Sequence, residues 1–114
     1  MEPLGHRTWL LRGGDVLAAA DVVEPRSPLA QGLHGKEGYE GAMVLDRTRA
    51  VHTFGMRFPV DVAYCDQDLV VLRVRRMRPW RVGLPCPKAR LVIEGEAGSF
   101  ERWGLAVGDT LELR

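Results

Sequence analysis

The stretch RFPVDVAYCDQDLVVLRVRRM, Arg57 to Met77, reads as two β-strands and the turn that joins them. Phe58, Val60, Val62 and Tyr64 recur at every second position, with Asp61 and Cys65 at alternate ones. A period of two places the first set on one face of a strand and the second on the other. Asp66-Gln67-Asp68 supplies the turn, because aspartate side chains bond the backbone a residue or two further on. The returning run alternates again, with Val70, Leu72 and Val74 facing inward and Arg73 and Arg75 outward. This hairpin anchors a β-rich reading of the whole chain.

Working outward, 13 glycines and 7 prolines leave little room for long helices. Thr8–Gly14, TWLLRGG, reads as a short strand stopped by its glycines, and Asp15–Glu24, DVLAAADVVE, as a second. The alanines of that second run would suit a helix equally well, so Val16, Val22 and Val23 decide for strand. In Arg26–Gly35 Ser27 can cap, Pro28 fits a first helical position and Gly32 or Gly35 ends the turn, with Leu29 and Leu33 inward. Gly41–Leu45 reads as a buried strand before a turn at Asp46–Arg49, and Arg90–Gly95 as another strand. Pro85 and Pro87 exclude a central strand between Arg78 and Ala89, which becomes an exposed connection. Ser99 is expected to cap about one turn of helix stopped by Gly104. Gly108-Asp109 then turns the chain into a last strand with Leu111 and Leu113 on one face. The expected architecture is mainly β, a compact β-sandwich or flattened β-barrel with one or two short helices.

With 114 residues, the expectation is a single domain over residues 1–114. Apolar residues at 46% and charged residues at 27% are ordinary globular values. No apolar run is long enough to span a bilayer. Arg12, Asp15 and Asp21 interrupt the N-terminal region before a signal-peptide core could form, so a cytoplasmic location is expected. A net charge of +1 argues against nucleic acid or anionic lipid as the main partner. A small molecule or a protein is the expected partner, with the chain a monomer or weak dimer and no membrane involved. Cys65 and Cys86 form no CxxC pair and have no neighbouring His ligands, so they read as buried thiols; no metal or cofactor is expected.

Chemistry concentrates in Val51–Asp61, VHTFGMRFPVD. His52 could act as an acid or base, with Asp61 to orient it. Thr53 could donate a hydrogen bond, Arg57 could grip an anion with both guanidinium nitrogens, and Gly55 would let a ligand approach the backbone. His52, Thr53, Met56, Arg57 and Asp61 are therefore the candidate ligand-binding residues. The structural alternative makes the same stretch the lead into a strand: Phe54, Met56 and Phe58 fill the core, Gly55 bends the chain and Pro59 marks an edge or bulge. Asp61 would then be satisfied by Arg57 or by backbone amides.

Arg73–Arg81, RVRRMRPWR, interleaves five arginines with Trp80. Single-strand binders combine charge and rings in this way, but such runs also form the solvated face of an edge strand, and the neutral charge balance favours the latter. Arg73 and Arg75 are kept as secondary candidates, together with Glu94, which flanks Gly95 with Glu96. Asp109 is explained by turn chemistry, and His6 and His34 are assigned no role.

Three segments together, GLHGKEGYEGAMVL, VHTFGMRFPVDVAYCDQDLVVLRV and ARLVIEGEAGSFERWGLAVGDTLEL, resemble in order and spacing the DUF192 family of small uncharacterised bacterial and archaeal proteins. The resemblance runs from about Pro25 to the C-terminus. It implies a compact, mainly β fold of sandwich or flattened-barrel type with short helices at its edge, and no particular activity. His34 and Lys36 stand where the family tends to have Met and Arg. Some relatives carry an export signal, which is not read here.

Three classes of function follow. The favoured one is a binding or accessory module with a polar pocket near His52, Arg57 and Asp61 for a small anionic ligand or a peptide carboxylate. The second is a hydrolase-like enzyme with His52 as base and Asp61 as its orienter, although no catalytic motif is recognisable. The third is a structural partner that docks through a sheet edge.

Overall fold

A computed structural model describes residues 5–23 and 38–114. The helical turn expected at Arg26–Gly35, and the Gly32–Lys36 portion of the family pattern, lie outside those residues. The elements in chain order are β1 (Gly5–Arg12), β2 (Asp15–Val23), β3 (Ala42–Asp46), β4 (Val60–Cys65), β5 (Val71–Met77), β6 (Leu91–Glu96), α1 (Ser99–Trp103) and β7 (Glu112–Leu113). The strands form one sheet in the order β5-β4-β6-β3-β2-β1-β7, curled into a half-barrel. β2 and β3 run parallel; the other pairs are antiparallel. The mainly β architecture expected from the sequence is the one observed.

β4 organises the interior because it is buried on both faces. Val60, Val62 and Tyr64 pack with Met56, Phe58, Met77, Cys86 and Val92 on one side of the sheet. Ala63 and Cys65 pack with Leu10, Val71, Ile93 and Phe100 on the other, under α1. The expected alternation along β4 is therefore present. Along β5 it is broken, because the pairing steps from Tyr64↔Arg73 to Cys65↔Val71 and leaves Leu72 over. Leu72 joins the first cluster, while Val71 and Val74 join the second. Arg73 and Arg75, expected to face outward, stand opposite Tyr64 and Val62, on the face that carries the first cluster.

Asp61 lies on the α1 face of β4, buried. Its Oδ1 accepts a bond from Arg76 Nε at 2.9 Å. Its Oδ2 accepts bonds from the backbone amides of Gly98 at 2.9 Å and Phe100 at 3.2 Å. The cap expected from Ser99 is absent: Gly98 is the N-cap residue and no side chain of its own caps the helix. The carboxylate of β4 fills that role from a distant part of the chain, satisfying amides that a helix start leaves open. Ser99 is buried instead, and its Oγ accepts a bond from Arg102. At the other end Arg12 donates to the carbonyls of Gly104 and Trp103 and to Asp109 Oδ2. Gly104, in the left-handed region, closes α1 as expected.

The β5 edge is partly closed. Val71 N donates to Asp109 O, Gly108 N to Val71 O and Leu111 N to Leu69 O, so the chain before β7 covers the start of β5. No helix among the described residues is long and apolar enough to cross a membrane.

The position of Asp61 generates a stability prediction. Asp61→Ala should lower unfolding free energy in urea by about 2–3 kcal/mol, because two amides lose a charged acceptor. Asp61→Asn, which keeps one acceptor oxygen, should lose less. An unchanged urea midpoint for Asp61→Ala would refute the assigned role.

Candidate functional site

Two irregular segments of the chain are zipped together beside the first core cluster. His52 and Val82 form an isolated β-bridge. Gly83 N donates to Val51 O, Cys86 N to Arg49 O and Thr53 N to Arg81 O. Thr53 holds the junction. It is fully buried, its Oγ1 donates to Arg78 O at 2.6 Å and accepts from Arg81 N at 2.9 Å, and its carbonyl accepts from Trp80 N. One threonine thus fixes the backbone on both sides of Trp80. Trp80 is held at φ +63°, a left-handed conformation that costs a non-glycine residue about 1 kcal/mol or more. Gly55, at φ +79°, takes the same region without that cost and turns the chain towards β4.

The structure does not gather the candidate residues of Val51–Asp61 into one recess. Met56 is core and Thr53 is the buried clamp, while His52 and Arg57 are exposed. Asp61 projects from the α1 face of β4, with Ala63 and Cys65, and both of its oxygens are occupied. The period of two that identified the strand is the reason for this separation, since it turns Asp61 away from Phe58, Val60 and Val62. Arg76, and not Arg57, provides the ion pair to Asp61. His52 Nδ1 accepts from Phe54 N at 3.2 Å, and the His52 and Phe54 rings lie 4.9 Å apart. Phe54 in turn lies 6.0 Å from Trp80, giving a row of three rings at the surface.

The secondary candidates divide. Glu94 sits on β6 between Met43 and Val62, almost wholly buried, and burial pushes its carboxyl up to about 7. Cys65 is equally enclosed, and burial pushes its thiol up to about 12, so it is an inert core group. Arg73 and Arg75, by contrast, border an open cleft of about 520 Å³, joined there by Arg78 and Arg81 from the connection after β5. Tyr64 lines the same cleft, with the Arg73 guanidinium 5.3 Å over its ring. Burial holds the phenol of Tyr64 above its ordinary value, so it stays a neutral donor. Gly83 passes so close that a Cβ there would stand 3.0 Å from the Tyr64 hydroxyl.

The electrostatics of this cleft are distinctive. Elsewhere Arg7 meets Asp21, Arg12 meets Asp109 and Arg114 meets Glu112, and Arg76, which also borders the cleft, meets both Asp61 and Glu101. Arg73 donates to the carbonyls of Leu84 and Pro85, Arg75 to that of Val74, and Arg81 to those of Pro79 and Trp80. Among the described residues none of Arg73, Arg75, Arg78 and Arg81 meets a carboxylate. A second recess, of about 680 Å³, mixes Arg47, Arg49 and Arg90 with Asp46 and Asp66, so its charge is nearly balanced. Arg78 and Arg81 were not singled out as site residues from the sequence. The signal was the RVRRMRPWR run itself, once β5 and the Thr53 clamp place its arginines round one hollow.

A curled, single-sheet β half-barrel with a basic cleft beside its exposed connection is the class these features define. The chain belongs to the DUF192 family, described as uncharacterized ACR, whose pattern it matches over residues 11–113. A UPF0127 protein of Pyrococcus abyssi is 37% identical over 62 residues, covering 54% of this chain and 53% of that protein. Another, from Pyrococcus horikoshii, is 33% identical over 63 residues, 55% of each. The chain thus spans about half the length of the curated relatives it matches. Two crystal structures share the fold. A protein of unknown function from Novosphingobium aromaticivorans has a TM-score of 0.75 at 18% identity, over 95% of this chain and 84% of that one. A protein from Sinorhizobium meliloti, described as a transcription regulator only by conjecture, has a TM-score of 0.74 at 22% identity, over 99% and 98%.

Two measurements check this geometry. Thr53→Val removes the hydroxyl that bridges Arg78 and Arg81, and should cost about 1–3 kcal/mol in a chemical melt while speeding hydrogen exchange at the Arg81 amide; Thr53→Ser should recover most of both. Glu94 gives a pH dependence of known sign. Its folded carboxyl titrates near 7 against an ordinary 4.5, so between those values the folded chain holds a proton that the unfolded chain releases. Stability therefore falls as pH rises through that window and levels off above it. The loss attributable to Glu94 is on the order of 3 kcal/mol, and Glu94→Gln should hold the melting temperature at pH 8 close to its value at pH 5.

Proposed function

We propose that the chain is a binding module whose cleft over Tyr64 takes an anionic ligand. The observation that carries this is the set of four arginines, Arg73, Arg75, Arg78 and Arg81, that share one hollow with the ion-paired Arg76 and themselves meet no carboxylate among the described residues. Like charges held this close repel, and the arrangement gains most when an anion enters. Guanidinium groups grip phosphate or carboxylate oxygens in pairs, and the neutral Tyr64 hydroxyl adds a donor at the wall. The cleft volume, about 520 Å³, is that of a small-molecule site. Backbone contacts on Arg73 and Arg81, and the Thr53 clamp behind Arg78 and Arg81, hold the donors in place before a ligand arrives. A small anion or a peptide carboxylate fits these groups. A hydrolase with His52 as base and Asp61 as orienter gains no support from a carboxylate whose oxygens already serve Arg76 and the α1 amides.

Inorganic pyrophosphate tests the reading. It should raise the melting temperature of the full chain at low ionic strength, with the effect shrinking as salt is added. Arg78→Ala and Arg81→Ala should each weaken binding about tenfold, and Arg114→Ala, outside the cleft, should not. Equal stabilisation of the parent and of the Arg78→Ala, Arg81→Ala double variant would overturn the proposal.

A further inference from the structure

The near-zero charge of the chain is a sum over all its residues, and the cleft shows how unevenly that sum is distributed. Beside the four arginines stands an apolar ledge that no part of the described chain covers: Phe54 is 42% exposed, Trp80 64%, Val82 71% and Leu84 79%. Trp80 is part of the ledge and adjoins the cleft along the chain. It lies between Arg78 and Arg81, two residues that line the cleft, and its ring continues the row that runs through Phe54 to His52. Its backbone is held at positive φ by Thr53, whose carbonyl accepts the Trp80 amide and whose hydroxyl joins the residues on either side. A large indole is thus presented to solvent on a rigid, strained turn, next to uncompensated guanidinium groups. Two kinds of contact are on offer in adjacent parts of the chain, ionic pairing to an acidic oxygen and stacking on a flat apolar face.

We infer that the anion taken by the cleft is the phosphate of a nucleotide, whose base stacks on the exposed Trp80 ring while Arg75, Arg78 and Arg81 hold the phosphate oxygens. This rests on the anion-binding reading above and adds the identity of the ligand to it. A bare anion leaves the ring row without an occupant. A peptide carboxylate meets the arginines but brings no planar group of fixed position to the indole. A phosphorylated nucleoside supplies both, and base stacking on an aromatic side chain tolerates any base because every base has a flat face. The same chemistry is carried by a free nucleotide and by a nucleotide of a single strand. The exposed, open form of the cleft and ledge admits either.

The experiment titrates the full chain at low ionic strength with AMP, with ribose 5-phosphate and with a short single-stranded oligonucleotide, following heat of binding and tryptophan fluorescence. AMP should bind roughly 5- to 100-fold tighter than ribose 5-phosphate, the worth of one stacked base. Trp80→Ala should bring AMP down to the level of the sugar phosphate, and Trp80→Phe should restore most of the advantage; thermal melts check that both variants fold. An oligonucleotide that binds tighter than AMP with a steeper salt dependence identifies a single strand as the source. One that binds no tighter identifies the free nucleotide. AMP and ribose 5-phosphate bound equally, both lost in the Arg78→Ala, Arg81→Ala double variant, would overturn the inference and leave the anion site standing. A chain that binds an acidic peptide and no nucleotide overturns it as well, and one that binds neither pyrophosphate nor AMP overturns both readings.

Discussion

A carboxylate buried in a strand that is enclosed on both faces sets the terms for much of this fold. Asp61 stands in the middle of β4, and an ionised group there is tolerated only with full hydrogen bonding. Its two oxygens demand partners from different directions. One partner is Arg76 on β5, directly opposite in the strand register. The others are the first amides of α1, nearly forty positions further along the chain. The same group therefore ties a hairpin to a helix of five residues that is too short to be stable alone. Arg12 completes the attachment by taking the helix's terminal carbonyls, so α1 is held at each end by a charge from the sheet.

Asp61 commits the α1 face of β4 to this framework, and the basic cleft lies on the opposite face. There Val60, Val62 and Tyr64 point at the connection that follows β5, and Thr53 anchors that connection from behind. Regular pairing from Tyr64↔Arg73 to Val60↔Met77 keeps Arg73 and Arg75 on the Tyr64 side, where they meet Arg78 and Arg81, and the bulge at Leu72 shifts only the residues before them. The charge of the cleft is thus a product of register and not of composition alone.

The division between what could be read from the residues and what could not follows physical lines. Strand positions were legible wherever apolar residues kept a period of two, as in Phe58–Tyr64, and wherever turn chemistry was local, as at Asp66–Asp68 or Gly108-Asp109. Ser99 was misread because a local cap signal competed with a distant carboxylate, and distance along the chain hides such a partner. The alternation of β5 was misread because a bulge leaves no mark in residue type. At the site, the period that identified β4 already implied that Asp61 faces away from Phe58, while Gly55 invited the opposite conclusion by permitting a bend. The bend exists, but it delivers the chain into β4 without reversing which face Asp61 takes. Thr53 looked like a possible ligand group and is a structural clamp, since a threonine's role depends on which backbone atoms happen to lie beside it.

Trp80 concentrates two separate costs in one residue, and their coincidence is itself informative. A turn at φ +63° is cheapest with glycine, and an indole two-thirds exposed gives up much of the benefit of its apolar area. A connection that merely links β5 to β6 gains nothing from either. Glycine at this position would relieve the strain and leave the Thr53 hydrogen bonds intact, since those engage only backbone atoms of the turn. The side chain is therefore not needed to hold the loop. What it adds is a flat, largely exposed surface beside Arg78 and Arg81, in contact with the Phe54 ring along one side.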